Sequence, residues 1–172
     1  IDSDLQMLPE SIPDLIAPIQ ELNADFVKGT RFDSPEDLEQ MPKIRMIGNA
    51  GLSLISKFST GYWSLNDPTN GFIAMPRKTA ERMPWAKVAD DFFFESDLLF
   101  RLRLIQAKVA QVQMRSIYAG EQSSLRPAKV LFPFLRKHLR NHLKRIAYMY
   151  LFREWNLGTL YLPASTLGFA VG

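Results

Sequence analysis

The sequence contains no cysteine, and this absence excludes two kinds of site at once. Neither disulfide bonds nor thiolate-ligated metal centres can form. Any metal ion must therefore be held by oxygen atoms or imidazole nitrogens. The chain also lacks low-complexity tracts and internal repeats, and its 172 residues, 47% of them hydrophobic, suit one globular domain with a real core.

Acidic residues are absent between Arg126 and Arg153, although this segment holds eight lysines and arginines. The other residues contain 13 cations against 18 acids, which gives them a net charge of −5. The sequence therefore predicts an acidic globular body followed by a basic appendix.

Charges of either sign are absent from Trp155 to Gly172. A membrane-spanning helix needs about 20 mostly apolar residues, so residues 154–172 are predicted to start a transmembrane helix. A buried C-terminal helix is the alternative interpretation. Since the chain also begins without a methionine, we expect a fragment that is cut at both ends.

Hydrophobic periodicity predicts an α/β domain in which helices alternate with short strands. Helices are expected within residues 8–22, 43–61 and 92–107, and strands within 24–32, 72–75 and 108–119. The predicted units are a partial α/β domain over 1–125, basic amphipathic helices over 126–153, and the transmembrane start over 154–172. Ligands in such domains bind at the carboxyl ends of the strands.

Two aspartates open the chain in the stretch "IDSDLQ". Asp2 and Asp4 are two residues apart, so on an extended backbone both carboxylates project to one face. This pattern suits Mg²⁺ or Mn²⁺ bound beside a diphosphate, and Gln6 adds an amide oxygen. The alternative is a solvated turn in which Asp4 caps the following helix.

Two arginines are candidate phosphate ligands. Arg31 follows a predicted strand, at the sheet edge also expected for Asp2 and Asp4, and Arg45 lies near the start of a helix. A guanidinium suits phosphate oxygens at such an edge. An ordinary surface arginine is the alternative for each.

The segment "DPTNGF" combines turn-forming residues with ligand-binding groups. Asp67, Thr69 and Asn70 offer a carboxylate, a hydroxyl and an amide, and Gly71 allows close approach of a ligand to the backbone. A plain turn and a binding loop explain this composition about equally well.

Two acids begin the helix in "FFFESDLLF". Glu95 and Asp97 are favoured there by the helix dipole alone. Alternatively, one of them lies beside a bound substrate and orients a hydroxyl or acts as a general base. His138 and His142 share a face of the basic helix, and we expect them at an interface rather than in catalysis.

The basic appendix has an amphipathic pattern. Its apolar stripe consists of Leu135, Leu139, Leu143 and Ile146. A parallel row of cations consists of Arg136, Arg140 and Lys144. Such a helix lies on an anionic membrane surface, and the cations predict that this side is cytoplasmic. Nucleic-acid binding is the competing use of such charge. The uncharged run that follows favours the membrane, so we expect no nucleic-acid partner.

The order of these motifs resembles family 2 glycosyltransferases with a GT-A fold, in the membrane-associated branch of the dolichyl- and polyprenyl-phosphate sugar synthases. The matching positions, in chain order, are Asp2, Asp4, Gln6, Pro9 and Glu10, then Gly29 and Arg31, then Arg45, then "DPTNGF", then "FFFESDLLF", and last Gly120, Glu121 and Ser123. The last segment departs from the family pattern, because no arginine stands three before Gly120 and Ser124 replaces the usual lysine.

The resemblance implies a fold, a reaction and a set of site residues. The fold is the C-terminal portion of a Rossmann-like GT-A domain with a mixed sheet, without the half that reads the nucleotide. The reaction is an inverting, metal-dependent transfer from a nucleotide-sugar donor to a lipid-phosphate acceptor at the membrane. The implied groups are Asp67, Glu95 and Asp97 for catalysis; Arg31, Arg45, Thr69, Asn70, Gly71, Glu121 and Ser123 for donor phosphate or acceptor; and Asp2, Asp4 and Gln6 for Mg²⁺ or Mn²⁺.

Two other functions fit the same residues. The sugar acceptor can be a hydroxyl of a surface glycan instead of a lipid phosphate, in which case Glu95 is the first candidate base and Asp97 the second. The chain can also be a membrane-surface binding module without chemistry, whose acids are only caps and turns.

Overall fold

The computed structural model describes residues 9–31, 43–114, 127–153, 157–159, 161, 164, 165 and 168. For residues 43–45 and 127–130 it describes the backbone alone. Asp2, Asp4, Gln6, Glu121 and Ser123 therefore lie outside the described residues, and Arg45 is placed only by its backbone on a helix.

Three short strands form a mixed sheet in the order β2-β1-β3. They are β1 (Phe26–Thr30), β2 (Ile73–Ala74) and β3 (Val109–Gln113). β1 pairs antiparallel with β2, with Lys28 opposite Ile73, and parallel with β3, with Thr30 opposite Gln113. Because β1 is the central strand, all five of its residues are buried.

The helices are α1 (Ile12–Glu21), α2 (Lys43–Thr60), α3 (Arg77–Arg82), α4 (Phe94–Leu104) and α5 (Pro127–Ile146). Short 3₁₀ turns cover Pro9–Ser11 and Trp85–Lys87, and α5 continues as a π-helical segment over Ala147–Arg153. α1 ends where Asn23 takes a positive φ of 52°, a conformation that asparagine tolerates better than most residues.

Apolar side chains cover the sheet on two sides, which makes the layered α/β arrangement predicted from the sequence. On one side Phe26 packs with Leu98, Leu99 and Leu102 of α4. On the other side Val27 packs with Leu15 of α1 and with Phe72 and Met114. Successive residues of a strand point to opposite faces, so neighbouring Phe26 and Val27 belong to different cores.

The three helices and three strands expected in residues 8–119 are present, and the mixed α/β class is confirmed. α3 and the turn at Trp85–Lys87 were not anticipated, because "RKTAERMPWAK" has neither an apolar stripe nor strand alternation. The boundaries at 125 and 154 stay predictions.

The predicted transmembrane start at 154–172 falls mostly outside the described residues. Among the helices that are described, none is both long and apolar enough to cross a membrane. The start of a membrane-spanning segment therefore stays a prediction.

Candidate functional site

The ends of β1 and β3 lie side by side at one edge of the sheet, because these strands are parallel. The loop over residues 61–72 joins α2 to β2 and reaches the same edge, since β2 enters the sheet antiparallel to β1. Arg31 directly follows β1, so the fold places it against the "DPTNGF" segment of this loop. This is the edge at which ligands bind in layered α/β domains.

Arg31 and Asp67 form a two-pronged ion pair at this edge. Arg31 Nε lies 2.7 Å from Asp67 Oδ2, and Nη2 lies 3.0 Å from Oδ1. The Asp67 side chain is 1% exposed and that of Arg31 is 18% exposed. Because each carboxylate oxygen accepts one N–H, the pair fixes both the position and the plane of the guanidinium.

Asn70 orders the rest of the loop. Its Oδ1 accepts a hydrogen bond from the backbone N of Phe72 at 2.9 Å, and its Nδ2 lies 3.4 Å from Asp67 Oδ2. The same Nδ2 lies 3.1 Å from Met114 Sδ at the end of β3. With the side chain 1% exposed, Asn70 joins the loop to both parallel strands.

Lys28 is the member of this site that the sequence analysis missed. It is 1% exposed in the middle of β1, and its ammonium donates to the backbone carbonyl of Asn70. A charged side chain is rarely buried unless it is paired. A lysine within the otherwise uncharged strand "FVKGT" could therefore have indicated that Lys28 has a buried partner near the site. We call Lys28, Arg31, Asp67 and Asn70 the sheet-edge cluster.

Glycine at position 29 allows close packing beneath this cluster. A Cβ on Gly29 would lie 2.7 Å from Met114 Sδ and 3.1 Å from Phe72 Cδ1. A side chain here would therefore force Met114 or Phe72 to shift. Of the other loop positions, Thr69 is exposed and Gly71 is half-buried, and their predicted ligand contacts stay predictions.

The structure places Asp97 in a different set of contacts from Asp67. Its Oδ2 accepts from the backbone N of Ala89 at 3.1 Å and from Arg101 Nε at 3.0 Å, and its Oδ1 accepts from Asn141 Nδ2 at 2.9 Å. These bonds join the start of α4, the segment before it and α5. These contacts make Asp97 a link between helices, and its catalytic role stays a prediction, as does that of Glu95, which is half-buried in the first turn of α4.

His138 lies between helices, as expected, and not beside a candidate substrate group. Its Nδ1 is 2.7 Å from Ser59 Oγ on α2, and the rings of Phe93 and Phe134 pack against it in T-shaped contacts with centroids 4.8 and 4.6 Å away. Among the described residues its Nε2 has no hydrogen-bond partner. Burial lowers the pKa of His138 to about 4, so the ring is neutral at physiological pH. We call Ser59, Asp97, Arg101, His138 and Asn141 the interhelix cluster.

His142, the other predicted interfacial histidine, lies near the end of α2. Its Nδ1 is 2.7 Å from the carbonyl oxygen of Phe58. Arg145 donates to the same oxygen at 3.0 Å and to that of Ser59 at 3.2 Å. The last turn of a helix leaves carbonyls without intrahelical partners, so α5 supplies the cap of α2.

A metal ion cannot be assigned to the described part of the chain. No group of three His, Asp or Glu side chains there is placed to hold one. Asp67 is poorly suited to bind a cation, because both its oxygens already accept from Arg31. The predicted ligands Asp2, Asp4 and Gln6 lie outside the described residues, so the metal site stays a prediction.

No family model matches the chain. It is similar to a UDP-N-acetylglucosamine--dolichyl-phosphate N-acetylglucosaminyltransferase from Methanococcus voltae, with 27% identity over 133 residues, which covers 77% of this chain and 52% of the relative. It is also similar to a dolichol-phosphate mannosyltransferase from Mycosarcoma maydis, with 26% identity over 138 residues, 80% of this chain and 46% of the relative. The chain thus spans about half the length of these curated relatives.

Proposed function

We propose that the whole protein is a glycosyltransferase that moves a sugar from a nucleotide-sugar donor to a polyprenyl- or dolichyl-phosphate lipid. The observation that carries the proposal is the Arg31–Asp67 ion pair at the ligand-binding edge of the sheet, in a chain similar to two dolichyl-phosphate sugar transferases. A guanidinium held in a fixed plane is suited to phosphate oxygens, and both substrates of this reaction carry them.

In this reaction a phosphate oxygen of the lipid attacks the anomeric carbon, and the bond from that carbon to the nucleotide diphosphate breaks. The configuration of the sugar is inverted. Arg31 stabilises negative charge on a phosphate group as the bond breaks, and Asp67 keeps the guanidinium oriented toward it. Asn70 and Lys28 hold the loop against the strand ends, so that Thr69 and Gly71 face the substrate.

The remaining proposed site residues have side chains that the structure does not describe. Asp2, Asp4 and Gln6 would hold Mg²⁺ or Mn²⁺, which supplies positive charge against the donor diphosphate. Arg45 adds charge near a phosphate, and the segment with Glu121 and Ser123 contacts the acceptor.

General-base catalysis is not needed for this acceptor, because a phosphate is already ionised at neutral pH. Glu95 then orients a sugar hydroxyl. We place Asp97 second to Glu95, because its oxygens are used by Ala89, Arg101 and Asn141.

The membrane is the proposed location of the reaction, with the catalytic domain on the cytoplasmic face. The leucine stripe of α5 supports this, since Leu135, Leu139 and Leu143 are 38%, 58% and 58% exposed. The cations of the same helix suit an anionic lipid surface.

The test is a transfer assay with the whole protein, polyprenyl phosphate, and UDP-N-acetylglucosamine, UDP-glucose or GDP-mannose in separate reactions. We expect one donor to yield a lipid-linked sugar, with product lost in EDTA and restored by Mn²⁺. Transfer to a glycan hydroxyl but not to the lipid would establish the alternative acceptor. Absence of both transfer and donor hydrolysis would refute an enzymatic role.

A further inference from the structure

The loop over residues 61–72 passes from one face of the sheet to the other. Near its start, Tyr62 and Leu65 pack in the core beside α4. At its end, Phe72 packs in the core beside α1, on the opposite face. The residues between Leu65 and Phe72 therefore cross the sheet at the ends of the parallel strands, and Asp67 lies within this crossing.

Two side chains of the sheet hold the crossing at its ends. Gln111 Oε1 accepts a hydrogen bond from the backbone N of Asn66 at 2.8 Å, and the ammonium of Lys28 donates to the backbone carbonyl of Asn70. Lys28 and Gln111 are register partners in β1 and β3, and such partners project to the same face of a sheet. Together they clamp residues 66–70, which we call the crossing segment, from one face.

The crossing segment is stiff between these two contacts. Pro68 fixes its own φ and disfavours helical conformations of the residue before it, which is Asp67. Both residues are also buried. A displacement of the backbone at Asn66 would therefore be passed on to Asp67, because few torsions between them are free to absorb it. The carboxylate that orients Arg31 thus depends on the contact made by the residue just before it.

Asn66 is also attached to α2. Lys57 Nζ lies 3.0 Å from the side-chain Oδ1 of Asn66. Asn66 therefore uses its side chain toward α2 and its backbone N–H toward Gln111 of β3. Two elements outside the loop meet at this one residue, which makes it the point from which the position of Asp67 is set.

We propose that Gln111 is a positioning residue for sugar transfer. By holding the backbone N of Asn66 it sets the place of the Asp67 carboxylate, and through that carboxylate the plane of the Arg31 guanidinium. The effect on catalysis rests on the proposed function, whereas the effect on the ion pair does not depend on any transfer. In this role Gln111 acts through Asp67 and not on the sugar itself.

The test compares variants of the whole protein. Gln111→Met keeps a side chain of similar length without the amide oxygen, and Gln111→Glu keeps an acceptor oxygen. Tyr62→Phe is the matched control, because it removes another 2.8 Å hydrogen bond of the same loop, from the Tyr62 hydroxyl to the carbonyl of Ala107. Each variant is assayed for kcat and KM with polyprenyl phosphate as acceptor, and for stability by urea denaturation.

A second measurement reads the ion pair without any transfer. It follows the exchange of the Arg31 Nε–H proton with solvent, by NMR of protein with isotope-labelled arginine. This proton lies between Arg31 Nε and Asp67 Oδ2, which are 2.7 Å apart, so its exchange reports how firmly the pair is held. The loss of one resonance in Arg31→Lys assigns the signal.

We expect Gln111→Met to lower kcat by about tenfold with KM within about twofold of the wild type, because the loss falls on the transition state. Arg31 Nε–H should exchange about tenfold faster in this variant, since the pair opens more often. Gln111→Glu should keep both values within about threefold of the wild type, as its oxygen still accepts from Asn66. Tyr62→Phe should lower stability and leave both values unchanged.

Three results would overturn the proposal. They are wild-type kcat and exchange in folded Gln111→Met, lower kcat with wild-type exchange, and equal changes in Tyr62→Phe, which would reveal a general loosening of the loop. If the wild type transfers no sugar, the proposed function fails, and the exchange rate alone then decides whether Gln111 orders the ion pair. Gln111→Val, with a side chain that suits a strand, replaces Gln111→Met if that variant does not fold.

Discussion

Two aspartates in this protein are almost equally buried, yet their surroundings differ in kind. Asp67 is 1% exposed and gives both oxygens to Arg31, which stands at the end of a sheet strand. The Asp97 side chain is 7% exposed and divides its oxygens among α4, α5 and the segment before α4. The first orients one cation at the carboxyl edge of the parallel strands, and the second joins structural elements. Burial of a carboxylate therefore does not reveal its role, whereas the location of its donors does.

The largest expected effect is that of Asp67→Ala, which leaves Arg31 without its carboxylate. Removing one partner of a buried ion pair costs about 3–5 kcal/mol of stability. Sugar transfer should also fall by about a hundredfold or more in the protein that remains folded, as when one preorganised charge-stabilising group is lost. Urea denaturation and a transfer assay corrected for the folded fraction measure the two effects.

The matched control for this change is an exposed ion pair. Arg77 and Glu81 are 2.7 Å apart with side chains 91% and 62% exposed. Glu81→Ala should change stability by less than about 0.5 kcal/mol, because such pairs are solvated and screened. An equal loss in the two variants would show that the burial of Asp67 has no energetic consequence.

Asp97→Asn should separate stability from activity. It removes the charge that Arg101 pairs with, so we expect a loss of about 2–3 kcal/mol in the free energy of unfolding. The kcat/KM of the folded fraction should stay within about twofold of the wild type. A twofold change corresponds to about 0.4 kcal/mol in the activation free energy. A hundredfold loss of kcat/KM with normal stability would instead make Asp97 a catalytic group.

The interhelix cluster should also weaken in acid, because of His138. The unfolded chain protonates this ring below its ordinary pKa of 6.5, but the folded protein does so only near pH 4. Between these values the unfolded state binds more protons, so the free energy of unfolding decreases as the pH falls, by about 2 kcal/mol from pH 7 to pH 5. His138→Gln keeps a group able to bond Ser59 but does not titrate, so the loss from pH 7 to pH 5 should be smaller by this amount. Equal losses in both proteins would contradict the assignment.

The smallest expected effect concerns Asp91, the exposed counterpart of Asp97. Its carboxylate accepts from Lys137 of α5, and this bond holds its pKa below the ordinary value. Asp91→Asn should cost about 0.5 kcal/mol or less, since the side chains are 51% and 40% exposed. A double-mutant cycle with Lys137→Gln measures the coupling, and a value comparable to that of Asp97 with Asn141 would remove the distinction between the two attachments of α5.

Local sequence patterns predicted the elements well where periodicity and composition agreed. Hydrophobic periodicity predicted a helix within residues 8–22, and α1 spans Ile12–Glu21. Arg31 was predicted at the sheet edge because it follows a strand, and ligands bind at the carboxyl ends of strands in a layered domain. The "DPTNGF" segment was predicted as a plain turn or a binding loop, without a place at that edge. The Leu135, Leu139 and Leu143 stripe was predicted as exposed to a membrane, and its exposure is confirmed, while its membrane contact is not tested.

The pairings within the site could not be predicted, because they join residues far apart in the chain. Arg31 and Asp67 are 36 positions apart, and Asp97 and Asn141 are 44 apart. Arg31 was predicted as a phosphate ligand from its own type and position, with no indication that a loop carboxylate would orient it. Likewise, the serines of α2 become informative only once α5 is seen to bury them. Glu95 and Asp97 are both carboxylates in the first turn of α4. Only their tertiary contacts could therefore distinguish one from the other.

The most direct test of the account asks whether Arg31 and Asp67 act as one unit in sugar transfer. It measures kcat/KM in the whole protein for Arg31→Gln, Asp67→Asn and the double variant, with polyprenyl phosphate as acceptor and each value corrected for folded protein. If Asp67 acts by orienting Arg31, each single change should lower kcat/KM by about a hundredfold, and the double variant should be no worse than Arg31→Gln alone. A folded Asp67→Asn protein with wild-type kcat/KM, or losses that multiply in the double variant, would contradict it.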